Sequence, residues 1–233
     1  SRNETENLKR DVEEGYRKYQ ALREKLSGFH LDEETRNHYI DIAYQKALRL
    51  EQLTNELFGF VKLEHKEMQL HLGKLDLVQL MEQMLDEMTP SFVKNELQVE
   101  FLHAEHAIFL EADGELLARL FGNLLNNAVK YGKEGKQIRV SMEKEGEYVV
   151  TRVINYGRII PKQELDHIFQ KFYRTEQSRS RDTGGTGLGL AIVQQIAELH
   201  HGQVRVKSDL QGTVFEVELP VGMPKGKKED EKR

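Results

Sequence analysis

Four glycines in six residues, Gly184, Gly185, Gly187 and Gly189 in the run T-G-G-T-G-L-G-L-A-I, stand directly before an apolar, helix-forming stretch. Glycine permits positive φ and close backbone approach, and the first N–H groups of a helix lack intrahelical partners, so such a junction suits an anion such as phosphate. A flexible loop leading into a helix needs one or two glycines and leaves four, alternating with Leu188 and Leu190, unexplained. The spacing is not that of a P-loop, which continues into Lys and then Ser or Thr, nor the G-x-G-x-x-G of dinucleotide folds.

Any phosphate chemistry here is local. Lys and Arg number 34 against 39 Asp and Glu, a balance of −5 over 233 residues that offers no general attraction to nucleic acid or anionic membrane. The chain has no cysteine, which excludes disulfides, thiol catalysis and cysteine-ligated zinc and suits a reducing, cytoplasmic setting. It contains no apolar run of the ~18 residues a spanning helix needs. It starts at Ser1 rather than Met and shows no signal peptide, so the expectation is a fragment of something longer, with a membrane-anchored parent left open.

Hydrophobic periodicity divides the chain. Leu8, Val12, Tyr19, Leu22 and Leu26, then Ile40, Ala43, Ala47, Leu50, Leu57 and Val61, recur at helical spacing on either side of a break at Ser27 to Glu33. The expectation is a helical hairpin over residues 1–66 that pairs with a second copy as a dimeric four-helix bundle, because one apolar stripe per arm buries too little alone. The alternative is a hairpin packed on its own C-terminal domain.

After a linker at 67–73, residues 74–222 read as mixed helix and strand. Strands are expected at Leu75–Leu77, Leu97–Leu102, Ala107–Glu111, Ile138–Met142, Tyr148–Ile154, Val204–Lys207 and Thr213–Leu219, and helices at Val78–Phe92, Gly114–Tyr131 and Ala191–His200. The fold class is α+β, with helices over one face of a largely antiparallel sheet. Residues 223–233 read as a charged tail.

Three further motifs carry chemistry. In N-L-L-N-N-A-V-K-Y, Asn123, Asn127 and Lys130 follow at steps of four and three on a stripe beside the apolar one of Leu117, Phe121, Leu124 and Ala128. Asn loses up to ~0.7 kcal/mol against Ala inside a helix, so local folding does not explain three of them, whereas amide oxygens suit Mg²⁺ and Lys130 suits phosphate. A polar helix surface is the alternative. In V-I-N-Y-G-R-I-I-P, Asn155 leaves a strand end beside Gly157, where an amide can reach the edge of a flat heterocycle. In H-I-F-Q-K-F-Y-R, Phe169, Phe172 and Tyr173 are apolar anchors ahead of a polar stretch, with Arg174 toward solvent or phosphate.

Together with Q-G-T-V-F-E-V-E-L-P, these motifs resemble the N, first glycine, F, second glycine and third glycine boxes of bacterial sensor histidine kinases, most similar to the vancomycin-resistance type. The resemblance covers about Lys74 to Val221 and implies a Bergerat-type α/β sandwich that binds ATP and Mg²⁺. In that scheme Asn127 and Asn123 hold the metal, Lys130 and Arg174 meet phosphates, and Tyr131 packs on the nucleoside. Asn155 reads the base, and Gly157, Gly185, Thr186, Gly187, Leu188, Gly189 and Thr213 surround the nucleotide. The implied partners are a second copy and a response-regulator receiver domain, and the implied place is cytoplasmic, with the membrane reached only through a sensor region ahead of this sequence.

The sequence departs from the family in two places. Asn155 stands where Asp is usual, and Ile159 lies near the second glycine position of that box. The phosphoacceptor box H-E/D-x-K/R-T/N-P is absent: its level on the first helix reads L-K-R-D-V-E-E-G-Y, and His30, His38 and His65 lack the acidic residue and proline that would follow. Two functions are therefore expected to compete, a kinase core and a catalytically silent, nucleotide-gated dimeric module. A hydrolase of the gyrase or chaperone kind is disfavoured because Asn123 occupies the place of its Glu.

Overall fold

The computed structural model describes residues 13–24, 32–64, 69–174 and 186–222. Expectations for Leu8, Lys9, Arg10, Asp11, Val12, Leu26, His30, His65, the lid stretch 175–183, Gly184, Gly185 and the tail lie outside them. The chain forms two compact units, Ser1–Leu53 and Thr54–Arg233.

The first unit contains helix α1 (13–24) and most of α2 (Glu33–Glu64). The helix α2 begins at Glu33, inside the expected break, because Asp32 caps it: its carboxylate accepts from Thr35 N at 2.8 Å and from Thr35 Oγ1 at 2.9 Å. Those bonds hold the Asp32 carboxyl below its usual range. Tyr16, Tyr19, Ile40 and Tyr44 are all exposed.

The division falls inside α2, whereas the expected boundary followed residue 66. The physical reason is burial: Leu63 is buried in the core of the second unit and Leu57 packs against it, so the last turns of α2 fold with that unit.

Its other elements are β1 (Gly73–Asp76), α3 (Leu77–Lys94), β2 (Gln98–His103), β3 (Phe109–Ala112) and α4 (Gly114–Tyr131), then β4 (Gln137–Glu145), β5 (Tyr148–Asn155), α5 (Lys162–Leu165), α6 (Gly189–Leu199), β6 (Gln203–Asp209) and β7 (Gly212–Pro220). Five strands form one sheet in the order β2-β4-β5-β7-β6, and β1 pairs with β3 in a separate ribbon. All pairings are antiparallel except β2 with β4, which is parallel.

Two aspartates start α3 and α4. Asp76 accepts from Val78 N and Ile108 N, and Asp113 from Leu116 N and His71 N, which neutralises orphan donors and anchors the incoming chain. The helix α4 buries Leu116, Leu117, Leu120, Phe121, Leu124, Leu125, Ala128 and Val129 against α6 and β5.

The alternation of β5 decides where the site lies. Val149, Thr151, Val153 and Asn155 share the buried parity, while Arg152 on the other parity pairs with Glu143, Glu145 and Glu216. Period two thus carries Asn155 onto the helix-facing side of the sheet.

Candidate functional site

The asparagines of α4 are not equivalent. Asn126 is exposed, and Asn123 and Asn127 are half-buried on one strip. Asn123 Nδ2 donates to the Arg119 carbonyl one turn back at 3.0 Å, which commits the NH₂ group to the helix and leaves Oδ1 as the outward acceptor. That oxygen faces the start of α6, where a Cβ on Gly189 would stand 3.2 Å from it. Lys130, one turn beyond Asn127, rests its ammonium 4.9 Å from the Tyr131 ring centroid.

The C-terminal end of α4 meets the end of β5. A Cβ on Gly157 would collide with the Tyr131 carbonyl oxygen, and one on Gly132 would lie 3.3 Å from Asn155 Cβ; glycine is required there for close approach. Asn155 is 3% exposed, and its ladder partner Thr213 is likewise 3% exposed. Thr213 Oγ1 lies 2.7 Å from Ser208 Oγ, which also accepts from Ile160 N at 2.9 Å. Gly212, at φ +120°, lets the strand turn beneath Asn155.

The glycine-rich junction closes the remaining side. Gly187 has φ +76°, and a Cβ on it would sit 2.7 Å from the Phe172 carbonyl carbon. Phe172 takes φ +61°, uncommon for a side-chain-bearing residue, and its N–H donates to the Gly187 carbonyl at 3.1 Å. It serves as a backbone clasp and not as an apolar anchor, since its ring is 41% exposed. Phe169 does anchor, edge-on to Phe215 at 6.4 Å, and Tyr173 packs against His167. Thr186 Oγ1 accepts from Leu188 N at 3.1 Å, and Leu188 is buried ahead of α6 without a side-chain cap of its own. Arg174 follows Tyr173 and is half-buried.

Residues 112–223 match the model of the histidine kinase-, DNA gyrase B-, and HSP90-like ATPase family. This stretch is a domain of that family. Its relatives are sensor histidine kinases: it is 36% identical over 202 residues to sensor protein VanS of Enterococcus faecium, covering 87% of this chain and 52% of that protein. The chain thus spans about half the length of that curated relative. Full-length ShkA solved in complex with AMPPNP is similar at a TM-score of 0.72 and 25% identity, over 85% of this chain and 41% of that one. Histidine kinase ThkA, solved in complex with response regulator protein TrrA, shares the fold at a TM-score of 0.76 and 23% identity, over 93% of this chain and 60% of that one. Among the described residues no helix is long and apolar enough to cross a membrane.

Sequence reasoning about this ATPase-family domain missed three residues that shape the site. Ser208 follows Val204 and Val206 on the half-buried parity of β6, and a hydroxyl at that position was the available signal. Arg119 is half-buried on α4, where burial lowers its pKa and Glu56 opposes the shift. Glu56 on α2 accepts from Thr186 Oγ1 at 2.6 Å. Neither Arg119 nor Glu56 belongs to a recognisable motif, because each acts through a neighbour distant in sequence.

Proposed function

We propose that this chain is the ATP-binding core of a two-component sensor histidine kinase, in which Asn123 and Asn127 hold Mg²⁺ and Lys130 and Arg174 meet phosphates. Tyr131 covers the nucleoside and Asn155, oriented beside Thr213, reads the base. Gly157, Gly185, Thr186, Gly187, Leu188 and Gly189 supply backbone around the nucleotide. The observation that carries this reading is the orientation of Asn123: with Nδ2 spent on the Arg119 carbonyl, a hard oxygen ligand faces Gly189 at the opening of the glycine loop. Both groups fit the residues present, since the loop glycines leave space that a Cβ would fill.

Bound ATP supplies the transferable γ-phosphoryl group, with Mg²⁺ balancing its negative oxygens. The N–H groups opening α6 bind and orient those oxygens. Leu188, buried at the start of α6, fixes the direction of these donors. A second copy, paired through the N-terminal hairpin, and a response-regulator receiver domain complete the system. The whole kinase would pass the group to a His and then to an Asp of the regulator.

This sequence lacks the acceptor. Transfer to histidine requires an imidazole nitrogen in line with the phosphorus and a neighbouring carboxylate to take its proton, and the matching level offers Lys9, Arg10, Asp11 and Glu13. The chain therefore binds Mg-ATP and dimerises without phosphorylating itself, a nucleotide-gated module. Two measurements test this. Calorimetric titration with a non-hydrolysable ATP analogue should show binding abolished by Asn127→Ala and kept by Asn126→Ala; equal loss in both removes the assignment. Incubation with γ-labelled ATP should leave no acid-labile label, and label on His30, His38 or His65 that disappears on mutating that residue restores the full kinase.

A further inference from the structure

The hydrogen bond between Thr186 and Glu56 joins residues 130 positions apart and connects α2 to the glycine loop. One hydroxyl makes both contacts: Thr186 Oγ1 donates to Glu56 Oε2 at 2.6 Å and accepts from Leu188 N at 3.1 Å. The carboxylate thereby orders the residues that lead into α6. A second route runs through α4. Gly59 approaches Arg119 so closely that a Cβ would collide with the guanidinium, and Arg119 Nη2 reaches the Glu56 carbonyl at 3.5 Å. The Arg119 carbonyl holds Asn123, whose Oδ1 faces Gly189. Both routes start on one turn of α2 and end on the same loop.

The sign of the charge gives this contact its consequence. A loop rich in glycine and helix-start N–H groups favours an anion, and Glu56 already brings one to it. Phosphate oxygens entering the same loop meet a like charge, which disfavours both staying.

Resting on the ATP-binding reading above, we infer that Glu56 is a charge latch on the nucleotide loop: its carboxylate holds Thr186 and opposes a bound polyphosphate, so that nucleotide binding and attachment of α2 to the loop weaken each other. Linkage makes the effect reciprocal, so a displacement of α2 that withdraws Glu56 tightens nucleotide binding by the factor that nucleotide loosens α2. Glu56 is a positioning residue and acts through Thr186.

Glu56→Gln keeps the shape and an acceptor oxygen but removes the charge, whereas Glu56→Ala removes both. Calorimetry of the full chain with Mg-AMPPNP, Mg-ADP and adenosine reads the charge. Glu56→Gln should tighten AMPPNP about three- to tenfold and ADP less, leave adenosine unchanged, and lose the gain as salt is raised. Hydrogen exchange reads the latch without nucleotide: the Gly187 and Leu188 amides should exchange faster in Glu56→Ala, and AMPPNP should accelerate exchange in residues 54–60 of the unaltered chain. Unchanged or weaker AMPPNP binding in Glu56→Gln, or an equal gain for adenosine, overturns the latch. Absence of nucleotide binding by the unaltered chain removes the ATP reading and the latch together; binding that Glu56→Gln merely matches removes the latch alone.

Discussion

The helices α4 and α2 carry apolar residues at the same helical spacing, yet they satisfy it differently. On α4, Leu117, Leu120, Phe121 and Leu124 are fully buried, while on α2 Ile40 and Tyr44 remain about 60% exposed. The apolar face of α4 is the stronger of the two, and it also has a partner surface. The sheet and α6 lie against α4, and the last turns of α2 around Leu57 and Leu63 have the same core to enter. Ahead of Leu53 the stripe of α2 stays exposed among the described residues, and this supports the proposed pairing of two copies.

The largest expected effect sharpens this contrast. Leu124→Ala should cost about 2 to 5 kcal/mol of stability at any protein concentration, by lost transfer energy and a cavity, whereas Tyr44→Ala should cost ~0.5 kcal/mol or less at dilutions that separate the copies and more where they pair, as read by unit-resolved denaturation. Comparable costs at such dilution would mean that Tyr44 is buried within one chain. Next in size, Ile40→Glu combined with Tyr44→Glu should turn a dimer into a monomer in sedimentation velocity while AMPPNP affinity stays the same. A monomeric unaltered chain would end the bundle proposal and leave the ATPase unit untouched.

A smaller effect lies in the pH response of the second unit. His200 is buried; its Nδ1 donates to the Ile196 carbonyl at 2.9 Å and its Nε2 accepts from Asp113 N at 3.1 Å, so the ring is held neutral. Burial holds its pKa below the ordinary histidine value. The unfolded chain therefore takes up a proton below its ordinary value that the folded chain refuses, and stability falls as pH drops through about 6.5, with a slope approaching ~1.4 kcal/mol per pH unit. His200→Gln should flatten that slope in denaturant midpoints measured from pH 7.5 to 5; an unchanged slope would assign it to other groups.

The smallest effect concerns base choice. Asn155 can turn its amide to accept or to donate, whereas Asp can only accept, and a charge-assisted bond exceeds a neutral one by ~1 kcal/mol. Asn155→Asp should raise the ATP to GTP affinity ratio about fivefold, as read by competition binding. An unaltered ratio would place Asn155 away from the base.

Most elements of the second unit were legible because each has a strong local cause. Apolar spacing marks α4, alternation marks β5 and β7, and Gly146 at φ +63° marks the turn between β4 and β5. The asparagine strip and the glycine loop stand out as candidate chemistry for a related reason: residues that weaken a helix or loosen a loop call for an explanation beyond folding. Phe172 misled because an aromatic residue in an apolar cluster ordinarily packs inward, and its positive φ is set by the clasp with Gly187.

By itself the sequence determined which segments are helix or strand, which face of each is apolar, and that four motifs of one nucleotide-binding pattern occur in order. Only the tertiary structure decided that β2 runs parallel to β4, that the end of α2 folds with the second unit, that Ser208 braces Thr213, and that Glu56 reaches Thr186. The physical reason is range. Periodicity and glycine spacing report what a segment requires of its surroundings within a few residues, whereas the identity of the surface that meets the requirement depends on how distant segments share one core.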